Sequence, residues 1–306
     1  MNNRTKYAGI YPAFYACYEE SGAISTERTR RLASHLIGRG VQGLYVEGSS
    51  GECIYHSVEE RKRVLEAVMG EAAGRVRVIA HVAANHTADS MELARHAQSL
   101  GVDAIAAIPP IYFHLPDHAI ADYWNAISSA APETDFFIYN IPQLAGVALS
   151  PALLKRMLDN PRVVGVKNSS MPVYDIQKFY AAGGEDFVVF NGPDEQFVSG
   201  RVIGASGGIG GTYAPMPELF LAMNRLVEAG RMEEARRIQF QVNGIIELAC
   251  SGHGNMYAIF KEVLRLQGVE IGSVRPPLTP LAETDRPIAA ECASRIAAAV
   301  QALPEI

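Results

Sequence analysis

The sequence predicts an α/β fold, a (β/α)8 barrel with a C-terminal helical appendage. Three observations carry this prediction. Short apolar runs recur eight times between residues 7 and 209. Segments with amphipathic helical spacing separate them, and after the eighth run only helical patterns remain. Alternating strand and helix implies a parallel sheet, and eight such units imply closure into a barrel.

Taken in order, the strand-like runs are 7–11, 43–46, 76–80, 103–108, 136–139, 163–166, 187–190 and 207–209. Their short length and flanking polar residues fit strands buried on both faces. Between them, 58–69, 88–100, 117–130 and 151–158 have the spacing and length of crossover helices. Beyond the eighth run, 217–228, 231–251, 256–266 and 284–302 are helical in character. Segment 272–281 carries three prolines and reads as an ordered loop rather than a linker. The expected division is a barrel over 1–215 and a helical region over 216–306 packed upon it.

A chain of 306 residues, 48% hydrophobic, buries a large core without disulfide or metal staples. Its net charge of −6 and lack of a Lys/Arg cluster argue against nucleic acid or an anionic membrane as a partner. No stretch is long and apolar enough to span a bilayer or serve as a signal h-region, so a cytoplasmic location is expected. Cys17, Cys53, Cys250 and Cys292 lie far apart, and no histidine spacing suits metal ligands, so no metal is expected.

In a barrel of this kind, chemistry sits at the C-terminal strand ends. Lys167 closes the sixth run, just before Asn168, Ser169 and Ser170. Burial in an apolar mouth disfavours an ammonium and leaves a free amine able to attack a carbonyl. The competing reading is a lysine that extends its charge to water and pairs with an acid. After the second run, Gly48-Ser49-Ser50-Gly51-Glu52 forms a turn in which N–H groups and hydroxyls converge, suited to a carboxylate or phosphate. Tyr139 ends the fifth run, where a phenol near an amine shuttles a proton or simply caps the core. After the seventh run, Asp194 and Glu195 either complement a helix dipole or hydrogen-bond substrate hydroxyls. The glycines at 204–211 do not match G-x-G-x-x-G, which makes a dinucleotide site improbable, and they leave room for a ligand.

The joint order of the Gly48–Glu52 turn, Tyr139-Asn140-Ile141-Pro142, Lys167, Gly192 with Asp194-Glu195, and Gly207-Gly208-Ile209-Gly210 resembles the N-acetylneuraminate lyase and dihydrodipicolinate synthase family of class I pyruvate aldolases. The resemblance covers essentially the whole chain. It implies a homotetrameric barrel enzyme in which Lys167 forms an imine with pyruvate or another 2-keto acid, with no metal or organic cofactor. It further implies that Ser49 and Ser50 hold the pyruvyl carboxylate and that Tyr139 relays a proton. Tyr112 would complete that relay with Ser50 by reaching across a subunit interface. Ser169, Gly192, Asp194, Glu195, Gly210 and Gly211 would contact the rest of the substrate.

Synthases of the family usually carry an arginine five residues after the barrel tyrosine to grip a substrate carboxylate, and here that residue is Leu144. This favours the lyase branch. Three departures from the usual lyase pattern touch substrate preference: Ser169 for threonine, Pro193 for a bulkier residue, and Gly211 for serine. The expected activity is cleavage of N-acetylneuraminate to N-acetylmannosamine and pyruvate. Another 2-keto-3-deoxy sugar acid aldolase, a 4-hydroxy-tetrahydrodipicolinate synthase and a non-catalytic pyruvate-binding barrel are the alternatives.

Overall fold

The computed structural model describes residues 2–305. Eight parallel strands form one sheet: β1 (Gly9–Pro12), β2 (Gly43–Val46), β3 (Arg77–His81), β4 (Ala104–Ala107), β5 (Asp135–Asn140), β6 (Val163–Asn168), β7 (Val188–Asn191) and β8 (Gly207–Gly210). Their order is β1-β8-β7-β6-β5-β4-β3-β2. A parallel bridge between Ala13 and Tyr45 joins β1 to β2, and Phe14 N donates to Tyr45 O at 2.8 Å, so the sheet closes on itself.

Two cores result, as strand alternation requires. Inside the barrel, Tyr7, Tyr11, Tyr45, Ile79, Phe137, Tyr139, Phe190 and Ile209 pack together. The outward residues, among them Ile10, Leu44, Val78, Ile105, Phe136 and Val189, pack against the helices. Large aromatic side chains fill the barrel's interior, so it is a packed core and not a channel.

The first strand differs from its sequence reading. Residues 7–11 were expected as a strand, but Asn3–Tyr7 is a short helix and β1 starts at Gly9. The Asn2 side chain caps the helix by accepting from Thr5 N. Tyr7 is fully buried, and its hydroxyl reaches Asp103 O at 2.7 Å and Asp135 at 2.8 Å. The segment thus plugs the N-terminal end of the barrel.

The helix Pro217–Glu228 follows β8 and packs on β1, the position of the eighth barrel helix. The same helix also packs on Met232–Cys250, so it joins the barrel to the C-terminal helices on either side of the expected boundary at 215. Helices Met232–Cys250, Met256–Leu266 and Arg286–Gln301 pack together beyond it. The loop 272–281 is tied to the barrel side: Arg275 pairs with Glu60 at 2.7 Å, and its backbone N donates to Glu52. Among the described residues no helix is long and apolar enough to cross a membrane.

Candidate active site

Lys167 lies near the C-terminal end of β6 and is 3% exposed. Its Nζ stands 4.0 Å from the ring centroid of Tyr45 and 3.9 Å from that of Tyr139. Two aromatic faces favour an ammonium, but they cannot replace its water. Desolvation dominates and pulls the amine from 10.5 down to about 7, against an opposing attraction from Asp194. A free-amine population is therefore present at neutral pH.

Tyr139 is the register partner of Lys167 across β5 and β6, which places amine and phenol at the same height in the mouth. Burial pushes the phenol up to about 12, opposed by hydrogen bonds from Ser49 and Ser169. It stays protonated at neutral pH. Its oxygen lies 3.5 Å from Ser49 Oγ.

Beyond β2, Glu47 adopts a left-handed φ of 62°. Its buried carboxylate is held by His56 at 3.2 Å and Arg61 at 3.4 Å, and its carbonyl meets His81 Nδ1 at 2.7 Å. So anchored, the chain folds back: Gly51 N donates to Gly48 O and Glu52 N to Ser49 O. Among the described residues, the N–H groups of Ser49 and Ser50 find no acceptor. Two free donors beside two hydroxyls make a cradle for a carboxylate.

Asp194 is buried beside the C-terminal end of β8. Its Oδ2 accepts from Thr212 N and Thr212 Oγ1, both at 2.7 Å, while Oδ1 is buried with no partner. Burial raises the carboxyl to about 7, and the Thr212 bonds and Lys167 counter it. A Cβ on Gly210 would stand 2.1 Å from Asp194 Oδ1, so only glycine fits there. Likewise a Cβ on Gly192 would collide with Ser169 Oγ at 2.1 Å. Ser169 is buried beside Tyr139.

Contacts at the C-terminal strand ends link Lys167 to Tyr139, Tyr139 to Ser49 and Ser169, Ser169 to Gly192, Asp194 to Gly210, and Gly211 to Ser50. Glu195 has an exposed side chain and a carbonyl that accepts from Asn243 at 3.0 Å. Tyr112 does not join them within the chain: it is 87% exposed, packs edge-on against Phe113, and has a φ of 83°. An aromatic residue in the left-handed region is strained.

The mouth also contains residues that sequence reasoning missed. Tyr45 flanks Lys167, and the inward phase of its strand was a usable signal. Thr212 orients Asp194. Tyr257, from the helix Met256–Leu266, accepts a hydrogen bond from Ser50 Oγ at 3.2 Å. One turn along, Lys261 is buried and pairs with Glu52 Oε1 at 2.7 Å, which pins this helix to the Gly48–Glu52 turn. Its amine is lowered by burial, with Glu52 opposing. A cavity of about 730 Å³ opens beside these groups, lined by Ser49, Cys53, Ile141, Leu144 and Tyr257 among others.

A barrel with a buried lysine whose amine is held well below its ordinary value, flanked by a phenol and set near an anion cradle, is a carbon–carbon lyase of the class I aldolase type. The sequence profile of the dihydrodipicolinate synthetase family matches residues 6–296. The chain belongs to that family. The N-acetylneuraminate lyase of Mediterraneibacter gnavus is 61% identical over 297 residues, covering 97% of this chain and 94% of the relative. That of Salmonella agona is 34% identical over 276 residues, covering 90% and 92%. A solved structure of a Ruminococcus gnavus sialic acid aldolase catalytic lysine mutant superposes with a TM-score of 0.98 at 60% identity, covering 99% of this chain and all of that one.

Proposed function

We propose that this protein is a pyruvate-dependent lyase of the N-acetylneuraminate lyase type, with Lys167 as the imine-forming residue. The observation that carries the reading is the depressed amine of Lys167 between Tyr45 and Tyr139. Relatives named N-acetylneuraminate lyase and the sialic acid aldolase structure support the substrate.

In this reading the free amine attacks C2 of the 2-keto acid, and loss of water leaves a protonated imine. The Ser49 and Ser50 donors hold the adjoining carboxylate. The C3–C4 bonding electrons then flow into the imine to give an enamine, and the aldehyde departs as the C4 hydroxyl loses its proton along Tyr139 and Ser49. Protonation of the enamine at C3 and addition of water release pyruvate and restore Lys167. Asp194, Glu195, Ser169 and the glycine-lined wall of Gly192, Gly210 and Gly211 take the hydroxylated remainder. The sequence of steps balances without metal or organic cofactor.

Leu144 lines the cavity where a carboxylate-gripping arginine would serve a synthase, which supports a neutral, hydroxylated aldehyde. The exposed Tyr112 and Phe113 suit a subunit contact, so a homotetramer in which Tyr112 completes a neighbour's relay belongs to the same proposal, as does a cytoplasmic location. The test is borohydride reduction in the presence of pyruvate followed by peptide mass spectrometry, with N-acetylneuraminate then offered as substrate. An adduct on Lys167, absent in Lys167→Ala, together with pyruvate release, is the expected outcome. Folded protein that gains no adduct overturns it.

A further inference from the structure

Tyr257 is the only phenol of the mouth delivered by the C-terminal helices among the described residues. Its ring packs against Tyr15, with centroids 5.5 Å apart and planes at 66°. Lys261, four residues on and hence on the same helix face, is locked to Glu52. The phenol is thereby fixed in rotation as well as position.

Its hydrogen bonding is incomplete. The oxygen accepts from Ser50 Oγ, but its own hydrogen meets no acceptor among the described residues. Burial raises the phenol above its ordinary value, so that hydrogen is retained at neutral pH. Beside it, Gly211 presents bare backbone: a Cβ there would stand 3.2 Å from both Ser50 Oγ and Tyr257 Oη. The Gly211 carbonyl is fixed by Tyr15 Oη at 2.6 Å, so this wall is rigid. The cavity that Tyr257 lines is therefore offered one unused donor, Tyr257 Oη. An alcohol oxygen, with lone pairs to spare, is a group that accepts from such a donor.

We propose that Tyr257 is a specificity-determining residue whose hydroxyl, held against Ser50 and over the bare wall of Gly211, hydrogen-bonds the polyhydroxylated chain of the aldehyde half of the substrate. The proposal rests on the lyase reading above. It makes Tyr257 and Gly211 one unit, in which the phenol supplies the hydroxyl that a glycine wall lacks.

The experiment compares the intact protein with Tyr257→Phe, Gly211→Ser and the double variant. Each is assayed on N-acetylneuraminate and on a 2-keto-4-hydroxy acid that ends at C4 and has no polyol chain. Trapping of the pyruvate adduct on Lys167 checks that each variant is folded. Loss of one net hydrogen bond predicts that Y257F loses about tenfold in kcat/KM on the sugar acid and at most about twofold on the short acid. G211S alone, crowding Ser50 and the phenol, is expected to lose activity on the sugar acid. G211S in the Y257F background, where the vacated space admits a serine hydroxyl, is expected to regain at least about threefold over Y257F. Equal losses on both acids would mean that Tyr257 merely orders Ser50, and that overturns the proposal. So would unchanged Y257F kinetics, or a double variant no better than Y257F. Absence of the adduct from the unmutated protein fails the lyase reading instead.

Discussion

Replacing Lys167 with methionine is expected to destroy turnover and to stabilise the fold, by an amount that depends on pH. The amine falls from 10.5 to about 7 on folding. At 1.36 kcal/mol per pH unit, that gap corresponds to a burial cost on the order of 5 kcal/mol. The sign follows from proton counting. Between pH 7 and 10.5 the unfolded chain holds the proton and the folded one does not, so stability rises with pH across that window. Below pH 7 both forms are protonated and the full cost is present.

Methionine has similar length, bears no charge, and packs well between the rings of Tyr45 and Tyr139. K167M should therefore gain up to about 5 kcal/mol at pH 6 and only about 2 kcal/mol at pH 9. Urea denaturation of both proteins at pH 6 and pH 9 measures the difference. A gain that is equal at the two pH values, or a loss at pH 6, would refute the claim that desolvation sets the reactivity of Lys167.

Asp194→Asn removes the charge that holds the lysine up, so the rise of kcat/KM with pH should shift to lower pH while activity on the sugar acid falls at least about tenfold; a pH–rate profile checks both. Glu52→Gln leaves the buried Lys261 with only the Ser273 carbonyl as a full partner. A loss of about 3–5 kcal/mol by denaturation is expected, with partial recovery in E52Q/K261M, because an unpaired buried charge costs more than an absent pair. Leu144→Arg should raise the rate of pyruvate condensation with aspartate semialdehyde, relative to N-acetylneuraminate cleavage, by at least about tenfold. An unchanged ratio would remove Leu144 as a determinant of the branch.

The barrel was legible in the sequence because its strands are buried on both faces and announce themselves as uninterrupted apolar runs. Lys167, Tyr139 and the Gly48–Glu52 turn were legible for the same reason: each sits where such a run turns polar. The N-terminal segment misled because Tyr7 is apolar enough to extend a strand, while its helix depends on an Asn2 cap and distant partners at Asp103 and Asp135. Tyr257 was illegible for a related reason. Its helix was read, but the face turned to the mouth is chosen by the Lys261–Glu52 pair, a contact 209 residues apart that no local periodicity encodes. Tyr112 followed only from the family resemblance, and a single chain leaves it exposed.

The pinning of the helix Met256–Leu266 also bears on how the protein is made. A nascent chain that has emerged only as far as the eighth barrel helix already has every strand and Lys167, yet Glu52 has no cation and Ser50 no phenol. Such an intermediate carries a reactive amine in a mouth whose back wall is missing. The last quarter of the chain therefore supplies both the phenol beside Ser50 and the cation beside Glu52, so the finished pocket depends on residues that the barrel alone does not contain.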